Sequence, residues 1–170
     1  MGIESDYKWI QKIVQKYRLK LEYIDESVWQ AMPPIQGWSY SEVYFHIFDA
    51  SILSLKQLTD SAEGKGKLKP TAFPVRFILF LGMLPPGKKF IAPKTLTERL
   101  KKVSKEEILI LMDDFLNQLK VAFPKVQLAD LSIKTPHPKM GYLNAAHWLR
   151  FIAIHLNHHL KQLNRIAKSF

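Results

Sequence analysis

The stretch LNAAHWLRFIAIHLNHHLKQLNRIAK, residues 143–168, decides the fold. Within it Trp148, Leu149, Ile152, Leu156, Leu160 and Leu163 recur at three- and four-residue steps, the period of a helix with one buried face. Three of the chain's six histidines fall within five residues of the same helix, in the run His155-Leu156-Asn157-His158-His159. Residues four apart on a helix are stacked neighbours, so this spacing predicts that His155 and His159 aim two imidazoles at a common point. Their face also carries Trp148, Ile152 and Leu163, which turns both rings inward.

Three further helices are predicted upstream. The first runs from Tyr7 to about Glu26, with Ile10, Ile13, Val14, Tyr17, Leu21, Ile24 and Val28 on its buried face, and stops before Met32-Pro33-Pro34. The second opens on a capping box, Ser39 with Glu42 three residues on, and Trp38 stands where it can staple onto Val43. Its apolar set, Val43, Ile47, Ala50, Leu53 and Leu58, ends at Gly64-Lys65-Gly66. A second capping box, Ser104 with Glu107, opens the third, faced by Ile108, Leu111, Met112, Phe115, Leu116 and Leu119 and ending near Pro124. Residues 62–93 read as a long crossover in which FPVRFILFLGML, residues 73–84, forms a short buried helix. No strand-like alternation of useful length competes. The expected fold is all-α, a four-helix bundle in one domain over residues 1–170, with the crossover between helices two and three.

His46 falls three residues after Val43 and four before Ala50, on or beside the buried side of the second helix. A third inward imidazole is therefore available. Buried imidazoles must satisfy both ring nitrogens; a metal takes one lone pair from each while the other nitrogen donates to a nearby acceptor. His46, His155 and His159 are the candidate ligands, and three neutral ligands leave a position open for water or substrate. Each ring also has a plain reading as a separately satisfied core histidine. His158, rotated about 100° from His159, reads as a surface residue, an outer partner of the site, or a replacement for His159 as ligand. His147 is offset by about 80° from His155 and stays outside the site. His137, in Thr135-Pro136-His137-Pro138, reads as a loop residue or one that approaches the mouth of the bundle. Glu42 reads as a cap and Asp49 as a solvated or supporting carboxylate, so neither stands out as a general base.

Composition narrows the chemistry. Cysteine is absent, which excludes disulfides, thiolate ligands and a cysteine nucleophile and leaves nitrogen and oxygen donors for any metal. The 25 Lys and Arg against 15 Asp and Glu give a formal charge of +10, which suits an anionic partner without choosing one. Basic residues cluster at Lys65 to Lys69, Lys88 to Lys94 and Lys101 to Lys105 without interleaved exposed aromatics, which argues against nucleic acid. The opening MGIESDYKWIQ lacks the pattern of a secretory signal, and no segment approaches the roughly 18 apolar residues of a membrane span, so a cytoplasmic protein is expected.

A capped helix that follows a tryptophan and carries one inward histidine (Trp38-Ser39 to His46), then far downstream His155-x-x-His158-His159-x-x-Gln162, resembles the DinB-like (DinB/YfiT) superfamily. The run His137-Pro138-Lys139-Met140-Gly141-Tyr142-Leu143 to Trp148 is similar to a domain-of-unknown-function branch of it. The resemblance implies a four-helix bundle with a long crossover and one divalent metal, often nickel or zinc. Carried over residue by residue, the ligands it implies are His46, His155 and His159. Relatives include transferases and isomerases that use low-molecular-weight thiols such as bacillithiol or mycothiol. The resemblance thus points to a metal-dependent thiol transferase or related enzyme acting on a small molecule, with a homodimer possible. A non-catalytic, stress-associated metal- or ligand-binding protein and a metal-dependent hydrolase are the alternatives.

Overall fold

The computed structural model describes residues 2–85 and 98–170; the predicted basic cluster from Lys88 to Lys94 lies outside them. Helix α1 spans Ile3–Glu22, α2 Glu26–Trp29, α3 Tyr40–Ala62, α4 Phe73–Leu81, α5 Lys105–Leu128 and α6 Ala145–Ala167. The long helices α1, α3, α5 and α6 form the bundle, with α3 packed on α5 and α6, and α1 packed on α6 and α5. Both capping boxes are present. Ser39 N donates to Glu42 Oε2 at 2.8 Å while Glu42 N donates to Ser39 Oγ at 3.3 Å, and Ser104 and Glu107 repeat the arrangement. None of these helices is long and apolar enough to cross a membrane.

The core is sewn together by buried hydroxyls as well as hydrocarbon. Tyr17 on α1 donates to the Leu156 carbonyl of α6 at 2.6 Å, and Tyr44 on α3 donates to the Tyr17 carbonyl at 3.1 Å. Both rings are fully buried, so each hydroxyl needs these acceptors and fixes the relative height of three helices.

Several boundaries differ from the sequence reading. The first helix starts at Ile3 and ends at Glu22; Val28 belongs to the separate turn α2, which Asp25 caps by accepting from Ser27 N at 2.8 Å. Helix α5 runs through Pro124 to Leu128, because Ala122 and Val126 remain buried and hold the turn despite the missing donor. Leu53 lies on the exposed edge of α3. The last helix begins at Ala145, capped by Asn144, whose side chain accepts from His147 N at 2.9 Å.

Two corrections affect function. A small antiparallel sheet is present: β1 (Lys67–Leu68) pairs with β2 (Ile133–His137), which pairs with β3 (Gly141–Leu143). Strands this short, one containing Pro136, carry no readable alternation. The crossover helix α4 forms where expected but is not buried, since only Leu79 along it is enclosed. It is pinned at its end instead, where Arg150 Nε donates to the Leu79 carbonyl at 2.9 Å. Gly82 follows at φ +69°, and a Cβ there would meet Arg150 Nη2 at 2.2 Å.

The sheet is bolted to the bundle through Thr135. Its hydroxyl donates to the Gln57 carbonyl of α3 at 2.9 Å and accepts from Trp148 Nε1 of α6 at 2.8 Å. Replacing Thr135 by Val keeps the shape but strands the buried indole N–H, so urea denaturation should show a loss of about 1–3 kcal/mol with the helical circular dichroism retained. An unchanged midpoint would show that the sheet is dispensable to the bundle.

Candidate metal centre

Helix α3 supplies His46 and helix α6 supplies His155 and His159. One ring nitrogen from each of the three lies within 4.8 Å of the others. Ring centroids stand 5.5 Å apart for His46 and His155, 5.0 Å for His46 and His159, and 4.5 Å for His155 and His159. His46 and His159 are buried, while His155 keeps a partly accessible edge.

The hydrogen bonds fix how His159 is presented. Its Nδ1 donates to Gln162 Oε1 at 2.7 Å, because an amide oxygen can only accept. Its Nε2 is then a bare lone pair, and it faces His155 Nε2 at 3.1 Å. His46 makes no hydrogen bond to any described residue, although it is only 6% exposed. Its ring meets Trp38 edge-on at 5.1 Å, so the tryptophan before the cap covers the site's histidine.

Burial keeps the rings neutral. It pulls His46 down to about 4, against a small opposing pull from the Asp49 charge. His159 is pulled down to about 3 by burial and by His46, with Gln162 opposing. His155 lies well below the usual imidazole value through burial and then its histidine neighbours.

The other histidines take separate places. His158 meets the His159 ring at 5.2 Å but does not join the cluster of three. His137 ends β2 and packs on Trp148 at 5.1 Å and on Phe151 at 4.5 Å, and Phe151 in turn stacks on His155 at 5.6 Å. It is therefore a packed residue of the wall beside the site and not a plain loop residue; its Nδ1 accepts from the backbone N–H groups of Lys139 and Met140 at 3.1 and 3.0 Å. His147 points elsewhere, its Nδ1 lying 3.3 Å from Thr71 Oγ1. Glu42 is committed to its cap, and Asp49 pairs through both oxygens with Arg99 at 2.8 and 2.5 Å.

Sequence reasoning left Gln162 and Phe151 without roles. Both were within reach, since Gln162 is three residues after His159 and Phe151 four before His155.

Comparison with known proteins agrees with the fold. Residues 13–163 match the sequence model of the DinB superfamily. The chain belongs to the DinB superfamily. Among solved structures, that of TT2238, a four-helix bundle protein, is similar with a TM-score of 0.61, at 22% identity, over 96% of this chain and 98% of that one. The likeness shows the same fold in this DinB protein and in TT2238. No curated protein matches the chain.

The depressed histidines set a pH dependence for the metal-free protein. Their folded-state values lie below the ordinary 6.5, so the unfolded chain takes up protons first as the pH falls. Stability is accordingly full above about 6.5 and is lost as the pH falls towards 4. Urea titrations at pH 7, 6 and 5 should show this decline, and His155→Gln with His159→Gln should reduce its slope, His46 still contributing. An equal slope in the double variant would locate the effect in other groups.

Proposed function

We propose that His46, His155 and His159 hold one divalent transition metal ion, nickel or zinc, and that the protein uses it to transfer or rearrange a low-molecular-weight thiol of the bacillithiol type. The observation that carries the metal reading is the convergence of three imidazole nitrogens within 4.8 Å in the bundle interior. The spacing also fits. Two nitrogens bound at about 2.0–2.1 Å to a tetrahedral ion stand about 3.3 Å apart, close to the 3.1 Å between His155 Nε2 and His159 Nε2.

The chain's own residues prepare this site in three ways. Gln162 holds the proton on His159 Nδ1 and so presents the Nε2 lone pair. Burial keeps the imidazoles deprotonated near neutral pH, where they are competent as ligands. Trp38 meets His46 edge-on and Phe151 stacks on His155, which fixes the two rings in place. A bound ion would supply Lewis acidity, lowering the pKa of a thiol or water at its open position.

The thiol must come from outside, because the chain has no cysteine, and the formal charge of +10 favours an anionic one. Hydrolysis through a carboxylate base has less support, as Glu42 and Asp49 are tied to Ser39 and Arg99.

Elemental analysis of the purified protein should give about one metal per chain, with occupancy lost in His46→Ala and His155→Ala and kept in His158→Ala. Full occupancy in either of the first two variants would overturn the ligand assignment. In the cobalt-substituted protein, bacillithiol or glutathione should shift the visible bands; unchanged bands would remove the thiol reading and favour a closed, non-catalytic site.

A further inference from the structure

Helix α4 carries most of its apolar surface into solvent. Phe73, Phe77 and Phe80 are 78%, 55% and 81% exposed. Beneath them, between α4 and the first turns of α1 and α6, lies a cleft of about 560 Å³, walled by these phenylalanines and by Ile3. That volume lies within the range of small-molecule sites.

Among the described residues, the ionisable groups of the cleft are Asp6, Arg76, His147 and Arg150. Asp6 and Arg150 answer each other, with Oδ1 2.7 Å from Nη1, and Arg150 is further held by the Leu79 carbonyl. Arg76 has no hydrogen bond or ion pair with any described residue. Its charge is nonetheless felt in the cleft, where His147 is held below its usual value by burial and then by Lys134 and Arg76. The hydroxyl proton of Thr71 goes to the Tyr142 carbonyl, so His147 donates from Nδ1 to Thr71 and stays neutral. Among the described residues the balance is one unanswered guanidinium at the edge of an apolar trough.

We propose that this cleft binds a small amphipathic carboxylate, an aryl or alkyl acid whose carboxylate pairs with Arg76 and whose body lies against Phe73, Phe77 and Phe80. A planar guanidinium suits a carboxylate through two parallel hydrogen bonds, and the aromatic wall takes the hydrocarbon out of water. A second copy of this chain is a poorer occupant, because it carries the same +10 and brings no net opposite charge to Arg76. The site is separate from the histidine cluster, sharing none of its residues.

Isothermal titration of the full chain with 2-naphthoate and with its neutral analogue 2-naphthamide tests the proposal. One naphthoate should bind per chain, with the amide about tenfold weaker. Arg76→Gln should reduce naphthoate to the level of the amide without changing the amide itself, and Phe77→Ala should weaken both. His155→Ala should bind naphthoate as the parent does. Equal affinity for the two ligands, full binding by Arg76→Gln, or loss in His155→Ala would overturn the assignment. So would the absence of saturable binding alongside recruitment to phosphatidylglycerol vesicles, which would give the face to a lipid surface.

Discussion

Burying three imidazoles against one another is the constraint around which the bundle is arranged. Each ring has two nitrogens that must be satisfied or desolvated, a charge on one is costly to bury, and charging two would set like charges about 5 Å apart in a medium that screens poorly. The chain answers with partial satisfaction. His159 is served at both nitrogens, His155 at Nε2, and His46 at neither among the described residues. An apolar residue of similar size at His46 would remove an imidazole that no described residue hydrogen-bonds, so packing alone does not call for a histidine there.

Holding the rings there requires that α3 and α6 keep their height and rotation relative to each other. The Ser39–Glu42 box sets where α3 begins, and with it the angular position of His46 seven residues on. Asn144 does the same for α6. Tyr17 and Tyr44 then lock the heights through backbone carbonyls, that of Leu156 directly following His155. Thr135 joins β2 to both helices and so seats His137 against Trp148 and Phe151. The sheet is small, but it builds the wall behind His155.

What could be read from the sequence follows from the range of each interaction. Helical period and capping boxes are local, and they located α3, α5 and α6 to within a few residues. The i, i+4 relation of His155 and His159 is equally local, so their shared face was legible. That His46 stands opposite them is a tertiary fact, reached by assuming that all inward faces of a bundle meet. The two misreadings are non-local in the same sense. Strands of two to five residues are defined by their partners, here residues 67 and 68 against 133 and 134, and not by their own pattern. The apolar run of α4 says that its residues avoid water, but nothing in it says what covers them.

Helix α6 ties these observations together because it serves two environments in succession. Its first two turns carry Ala146, His147 and Arg150 towards α4, where small and cationic residues leave room and charge at the surface. Two turns later, about 12 Å along the axis, His155 and His159 enter the interior. Between them Phe151 turns back to His137 and His155, and Trp148 anchors to Thr135. A rigid helix with an offset of about 80° between His147 and His155 can present one face to the cleft and another to the bundle without either disturbing the other. The same geometry explains why histidine content alone was a poor guide: residues of one type on one helix belong to different sites because the helix turns between them.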